Sequence, residues 1–193
     1  AGQRVSGRMF RGGLLQPRGR LPAGRYRSCL IEPEVAFTLA RDLPPRTRGY
    51  VLDEVRAAVG TLHPAMEIAA SAFGEERWYD APLPAMVADN VSHAGLVLGE
   101  GRRDFQTAEL ATLRVEVWVD GKRHGVGSGA NALGNPLAAL AWLANDLSRR
   151  GQGLAQGEVV TTGLLTPFVK LLPGQRAEAF YGRFGACRVT LDA

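Results

Sequence analysis

The sequence predicts one α+β domain, a mixed and β-rich fold with two main helices. The chain has 193 residues, a length that usually forms a single domain. Two of its segments carry apolar residues at helical spacing, and many short apolar segments are separated by turn residues. Hydrophobic residues make up 46% and charged residues 22% of the chain, which excludes disordered and collagen-like proteins.

The predicted strands are short apolar segments bounded by glycine, proline and other turn residues. Residues 1–30 are rich in turn residues and are expected to be irregular, and 74–86 are expected to form a loop. A hairpin is expected over 113–127, where valines alternate on one face and Asp120-Gly121 is a strong turn signal. The other strands are expected at 31–40, 64–70, 94–99, 158–163, 168–172, 177–182 and 187–193.

Two segments predict helices. Residues 50–62 place leucine and valine at helical spacing and are expected to form an amphipathic helix. The second helix is expected to begin after Asn135, which suits the N-cap, with Pro136 at the first helical position. It should end near Gly151, which suits the position just beyond a helix C-terminus.

The charge distribution argues against nucleic acid as a partner. Residues 1–31 hold seven arginines and no acid, so the formal charge of +4 leaves the rest of the chain at 4 − 7 = −3. Only Phe10 and Tyr26 interleave with these arginines, and no nucleic-acid-binding motif follows them. We therefore expect no nucleic-acid partner.

A cytoplasmic location without membrane contact is expected. No apolar run approaches the roughly 18–20 residues that span a bilayer, and the N-terminus has no apolar signal core. The two cysteines, Cys29 and Cys187, lie far apart in the sequence, and two reduced thiols are favoured over one long-range disulfide.

Three glutamates form the most informative pattern. Glu32 and Glu34 would point to the same face of the first predicted strand, with Pro33 between them. Glu67 lies in the apolar run PAMEIAASAF, where an isolated carboxylate is seldom present for solubility. The pair could be a solvated strand face and Glu67 could pair with an arginine. Alternatively, all three bind a hard, octahedral cation such as Mg²⁺ or Mn²⁺.

No zinc site is expected. His63, His93 and His124 are scattered and do not have the ligand spacing of a zinc site. We expect His93 and His124 to lie in loops.

Two segments offer polar groups for a ligand. Gly125 to Ala132 loosely matches a dinucleotide-binding loop, but the following helix begins too late, so we reject nucleotide binding. Its glycines would instead allow close backbone approach, and Ser128 could hydrogen-bond a substrate. Farther on, Thr162 and Thr166 offer hydroxyls that suit a carboxylate, although an ordinary turn explains them equally well.

Five segments, taken in order, resemble one known family. They are IEPEVAFTLARDLP, PAMEIAASAF, VADNVSHAGLVLG, GSGANALGNPLAALAWLANDL and GEVVTTGLLTPFVKLLPGQ. They are similar to those of the 2-keto-4-pentenoate hydratase family, which includes 4-oxalocrotonate decarboxylase and belongs to the fumarylacetoacetate hydrolase superfamily.

The resemblance implies a fold and an activity. The fold would be a mixed β-sandwich or roll of the fumarylacetoacetate hydrolase C-terminal type, forming one catalytic domain over 1–193 without the family's N-terminal segment. The activity would be that of a metal-dependent hydro-lyase adding water to a 2-hydroxy-2,4-dienoate in aromatic meta-cleavage catabolism. A 2-oxo acid decarboxylase, a C–C bond hydrolase and a catalytically impaired homologue are the alternatives. Members of the family commonly form homo-oligomers.

The resemblance also assigns roles to residues. Glu32, Glu34 and Glu67 match the family's metal ligands for Mg²⁺ or Mn²⁺. The weaker assignments are Ser128 and Asp89 as catalytic residues and Thr162 and Thr166 as substrate-binding residues.

The chain departs from the family in two places. Ala70 and Ala72 replace an aspartate and an arginine that usually follow the third ligand, which removes a proton-transfer group and a charge pair. The lysine of a Gly-Trp-Lys-Ile-Gly type motif is also absent, because neither Lys122 nor Lys170 lies in such a context.

Overall fold

Two β-sheets with few helices make up the protein, as seen in a computed structural model that describes residues 4–15, 18–22, 24–26, 29–71 and 80–193. The strands are β1 Leu14–Leu15, β2 Arg18–Leu21, β3 Cys29–Leu39, β4 Val59–Ala69, β5 His93–Leu98, β6 Arg114–Val119, β7 Lys122–Ser128, β8 Val159–Thr161, β9 Val169–Leu171, β10 Arg176–Phe180 and β11 Ala186–Leu191. The helices are α1 Leu52–Ala58, α2 Leu83–Ala88, α3 Thr107–Thr112 and α4 Pro136–Arg149. The predicted mixed, β-rich class is confirmed.

The first sheet has the strand order β1-β5-β4-β3-β8, and β9 also pairs with β3. The second has the order β2-β11-β10-β6-β7. The short strands β1 and β2 join β5 and β11 in parallel, while the other pairs are antiparallel. Alternate side chains from both sheets enter one buried cluster, which includes Phe37, Met66, Val117 and Val189. Burial of this cluster is the main favourable contribution to folding.

The predicted hairpin and the predicted helix after Asn135 are confirmed. The hairpin of β6 and β7 turns through Asp120 and Gly121, both with positive φ, as a two-residue hairpin turn requires. Helix α4 begins where Asn135 caps it, because the side-chain oxygen of Asn135 accepts from the backbone N–H of Leu137 at 2.9 Å. Gly151 beyond its end has a φ of 69°.

The predicted helix over 50–62 is wrong in its second half. Helix α1 ends at Ala58, and Val59 begins β4 in an extended conformation. Val59 pairs with Leu39 of β3, and Leu62 is fully buried from the strand. The pairing with β3 and the β-branched side chain of Val59 favour a strand, and they outweigh the helical spacing of the apolar residues.

Several smaller elements also differ from the predictions. The segment 1–30 contains the strands β1 and β2, and helix α3 was not predicted at all. Of the predicted loop 74–86, the last part forms helix α2, while 72–79 lie outside the described residues. Helix α2 buries no residue, so its sequence carries no amphipathic signal.

No helix in the described ranges is long and apolar enough to cross a membrane. Cys29 and Cys187 are free and buried, and burial raises the pKa of each thiol to about 12.

The glycine-rich end of β7 packs against the segment 162–168 with no spare room. A Cβ at Gly127 would lie 1.8 Å from the carbonyl oxygen of Leu165. Asn131 holds the same carbonyl, since its side-chain N–H donates to Leu165 at 2.7 Å. The glycines therefore allow close backbone approach within the protein itself.

Replacing Gly127 should therefore destabilise the fold. We expect Gly127→Ala to lower the free energy of unfolding by about 2–3 kcal/mol, because the backbone of Leu165 must move. Gly12→Ala is the matched control: a Cβ there meets nothing within 4 Å, so the change should stay within about 0.5 kcal/mol. Urea unfolding of both variants measures the difference, and equal stabilities would contradict this packing.

Candidate metal centre

Three carboxylates converge on one face of the first sheet. In the antiparallel pairing of β3 and β4, Glu32 lies directly opposite Glu67, and Glu34 is the next residue of β3 on the same face. One oxygen from each of the three lies within 4.8 Å of the others. The strand register thus brings together the three residues that sequence analysis selected as metal ligands.

Burial disfavours the charged forms of Glu32 and Glu34. Burial and the nearby Glu67 raise the pKa of Glu32 to about 7. Glu34 is almost completely buried, and burial, Glu67 and Glu32 together hold its pKa well above the usual range. The backbone N–H of Gly163 partly offsets this shift by donating to Glu34 Oε2 at 2.7 Å.

The surroundings suit a divalent cation. Within the described ranges, no arginine or lysine forms an ion pair with Glu32, Glu34 or Glu67. The arginine partner considered for Glu67 is therefore not found there. Three converging carboxylate oxygens form the donor set that hard cations prefer. These residues fit a divalent metal ion.

A gap beside β3 accommodates Pro33 and brings a second segment to the site. On the side away from β4, β3 pairs with β9 at residues 29–31 and with β8 at 36–38. Between these pairings, the carbonyl oxygen of Pro33 accepts from the N–H of Leu165 at 2.9 Å. The nitrogen of Pro33 points into the same gap, so its missing N–H leaves the pairing of β3 with β4 intact.

Thr162 and Thr166 lie in this crossing segment, and both are buried. Thr162 donates its hydroxyl to the carbonyl oxygen of Val35 at 2.8 Å, and Thr166 donates to that of Pro167 at 2.9 Å. Both hydroxyls thus hold the backbone of the segment, and each oxygen keeps a lone pair that can accept from a ligand.

The two candidate catalytic residues, Ser128 and Asp89, lie in different elements of the fold. Ser128 is the last residue of β7 and is half-buried, next to Gly127, which packs on Leu165. Asp89 follows helix α2 and accepts from the hydroxyl of Ser92 at 3.2 Å. Asp89 therefore belongs to the turn that leads into β5.

His93 is a residue of the site that no sequence pattern indicated, and the prediction that it lies in a loop is wrong. His93 is the first residue of β5, and its Nδ1 lies 2.8 Å from Oε1 of Glu67. Ala70, where the chain departs from the family motif, donates its N–H to the carbonyl oxygen of Ser92 beside it. Ala72 lies outside the described residues. His124 was also misplaced, because it lies in β7.

Two further residues support the site from opposite sides. Tyr181 is fully buried in the core, and its hydroxyl donates to the carbonyl oxygen of Ala65, which pairs with Glu34. On the other face, Met9 packs against Ala36, Ala65 and Leu96, which lie beside the carboxylates. Neither residue had a sequence signal, because each depends on contacts between distant segments.

Without metal, the protein should lose stability as the pH rises. The folded state binds the proton of Glu32 more tightly than the unfolded chain, whose pKa is near 4.5. This contribution to stability is therefore present below pH 4.5 and is lost as the pH rises through about 7.

In chelator, we expect wild type to lose about 1–3 kcal/mol more stability than Glu32→Gln between roughly pH 5 and pH 8. Urea unfolding at each pH measures this difference. If the stability of the two proteins changed with pH in the same way, the charge on Glu32 would not destabilise the folded protein.

Comparison with known proteins identifies relatives of one kind. No protein-family model matches the chain. It is 31% identical over 177 residues to a 2-hydroxyhexa-2,4-dienoate hydratase of Comamonas testosteroni, covering 92% of this chain and 61% of the relative. It is 32% identical over 163 residues to a 2-keto-4-pentenoate hydratase of Paraburkholderia xenovorans strain LB400, covering 84% and 59%. The chain thus spans about three fifths of the length of these relatives.

A solved structure agrees with these matches. The 4-oxalocrotonate decarboxylase from Pseudomonas putida G7, complexed with magnesium and adipate, superposes with a TM-score of 0.82 at 26% identity. The match covers 93% of this chain and 66% of that one. The chain belongs to the family of the 2-keto-4-pentenoate hydratases and 4-oxalocrotonate decarboxylases, within the fumarylacetoacetate hydrolase superfamily.

Proposed function

We propose that the protein is a metal-dependent hydro-lyase that adds water to a 2-hydroxy-2,4-dienoate. The convergence of Glu32, Glu34 and Glu67 on one partly buried point carries this proposal. The two hydratases described above support the substrate class, since their names specify a 2-hydroxydienoate and a 2-keto-4-pentenoate.

The metal would be Mg²⁺ or Mn²⁺, held by the three glutamates. When bound, such an ion supplies Lewis-acid polarisation of the carboxylate and 2-oxygen of a 2-oxo acid. The magnesium in the related decarboxylase supports this choice, as does the all-oxygen donor set.

The chain's own residues would hold and orient the substrate. Thr162 and Gly163, which lie beside Val35 and Glu34, and Thr166, farther along the same segment, would offer hydrogen-bonding groups to the substrate. Ser128, the last residue of β7, would contact the substrate as a catalytic residue. Asp89, in the turn before β5, would be the other catalytic residue. The net reaction takes up one water across the distal double bond.

A 2-oxo acid decarboxylase is the second candidate. The similarity to the decarboxylase structure favours it, and the metal centre would serve either reaction. A C–C bond hydrolase would use the same three carboxylates. A catalytically impaired homologue would also keep them, and Ala70 and Ala72 are the residues that suggest this alternative. We further propose a cytoplasmic homo-oligomer, as the resemblance implies.

The substrate assay tests the proposal directly. We expect metal-dependent loss of the ultraviolet absorbance of 2-hydroxypenta-2,4-dienoate and formation of a hydrated 2-oxo acid. Glu67→Gln should lower kcat/KM by more than about 100-fold. Loss of a residue that only hydrogen-bonds to a metal ligand typically costs about 10- to 100-fold, and loss of the ligand itself should cost more. Glu100→Gln is the control, because Glu100 forms an exposed ion pair with Arg102 that contributes little.

The outcomes separate the candidates. Release of CO₂ from 4-oxalocrotonate in place of hydration would favour the decarboxylase. Metal binding without turnover of either substrate would favour the impaired homologue. Activity that persists in chelator would contradict the metal-dependent mechanism.

Ser128 and Thr162 should respond differently to loss of the hydroxyl. We expect Ser128→Ala to lower kcat/KM by about 10-fold with unchanged stability, because the hydroxyl would contact substrate. Thr162→Val should cost about 1–3 kcal/mol of stability, because the buried carbonyl of Val35 loses its donor. Kinetics and urea unfolding of both variants measure this, and loss of stability in Ser128→Ala would indicate a structural role.

A further inference from the structure

His93 is bonded to one of the three converging glutamates and is itself almost buried. Its Nδ1 lies 2.8 Å from Oε1 of Glu67, and the two side chains are 7% and 18% exposed. A carboxylate that binds a cation is ionised and only accepts hydrogen bonds, so in a metal-bound site Nδ1 of His93 would carry the hydrogen and donate it. His93 is not part of the group of ligand atoms within 4.8 Å of one another, which among the described residues contains only the glutamates.

A β-bulge turns His93 toward the site. Along β5, Leu96 pairs with Glu67 and Gly95 with Ile68, but the next residue of β4, Ala69, pairs with His93. The register therefore skips one residue of β5. Because Ala69 and Glu67 point to the same face, this skip brings the side chain of His93 to the face of the carboxylates.

The turn before His93 adopts a costly conformation. Asn90, Val91 and Ser92 have φ values of 51°, 53° and 60°. A β-branched residue such as Val91 strongly disfavours this region, and each such residue costs on the order of 1–3 kcal/mol.

Several contacts hold the turn in place. The N–H of Ser92 donates to the carbonyl oxygen of Asp89 at 2.8 Å, and the side-chain amide of Asn90 donates to that of Arg8 at 2.8 Å. Such strain persists where the surroundings enforce it, and it often marks functional sites.

The carboxylate of Glu67 needs an attractive partner. It lies opposite Glu32, and Glu34 is close on the same face, so both neighbours repel it. A rotation of its side chain away from them would relieve this repulsion and open the cluster. The hydrogen bond between Nδ1 of His93 and Oε1 of Glu67 opposes such a rotation.

We propose that His93 is a positioning residue of the metal centre, whose Nδ1–H fixes Glu67 so that the other carboxylate oxygen remains available to the cation. The strained turn that places His93 is held by the hydrogen bonds between Ser92 and Asp89. This inference rests on the proposed metal-dependent function. It adds a residue that acts through a ligand, and it assigns the bulge and the turn a purpose.

Magnesium binding to the full chain, measured by titration calorimetry, tests the inference without substrate. His93→Leu removes the donor at similar volume and should weaken Mg²⁺ binding by about 10- to 100-fold. His93→Asn should keep affinity within about threefold, because its side-chain amide nitrogen can occupy the place of Nδ1.

His63→Leu is a matched control. His63 lies on β4 on the same face, is half-buried and bonds to Thr38, Thr61 and the carbonyl oxygen of Gly99. Its loss should lower stability and leave Mg²⁺ affinity unchanged. A merely structural role for His93 predicts the same behaviour for His93→Leu, so the two variants separate the roles.

The outcomes are distinct. Wild-type affinity in a folded His93→Leu protein would overturn the inference while leaving the metal centre intact. Absence of Mg²⁺ binding in wild type would overturn the metal centre and the inference with it. If His93→Leu fails to fold, His93→Gln replaces it: the farther nitrogen should weaken binding about 10-fold, and affinity equal to His93→Asn would contradict the inference.

Discussion

The repulsion among Glu32, Glu34 and Glu67 is the constraint on which the site depends. Strand register places two of these carboxylates directly opposite each other and buries the third. A fold selected for stability alone would replace such a group with apolar residues, because buried like charges cost several kcal/mol. A cation bound by the three carboxylates would compensate this cost.

The neighbouring elements can be understood as supports for this arrangement. The segment around Gly163 closes the gap beside β3 and gives Glu34 its backbone hydrogen bond. Gly127 lets β7 approach that segment, and Asn131 fixes it through the carbonyl oxygen of Leu165. From the core side of the sheet, the hydroxyl of Tyr181 donates to the carbonyl oxygen of Ala65. Contacts from both sheets thus converge on one strand pair, which limits how far the carboxylates can separate.

Local patterns predicted the elements whose cause is local. Asn135 and Pro136 define the start of α4 through capping, and Asp120-Gly121 defines the hairpin through its dihedral angles. The three glutamates were predictable because the two-residue spacing on a strand and an isolated charge in an apolar run are visible in sequence.

Interactions between distant segments were not predictable. The helix over 50–62 fails at Val59 because pairing with Leu39 competes with a local preference. His93 escaped detection because a bulge, not the spacing of residues, turns it toward Glu67.

Metal binding by the three glutamates would also link stability to function. Ionised Glu32 and Glu34 destabilise the folded protein, since burial and repulsion by Glu67 raise the pKa of each. A cation that binds only the folded state would reverse this penalty and stabilise the protein by RT ln(1 + [L]/Kd), about 2.7 kcal/mol at a hundredfold excess over Kd. A residue such as His93 that tightens binding would therefore raise stability through the metal as well as through its own contacts. The strained turn at Val91 is held by its own hydrogen bonds, and an occupied metal site would add to the free energy that offsets its cost.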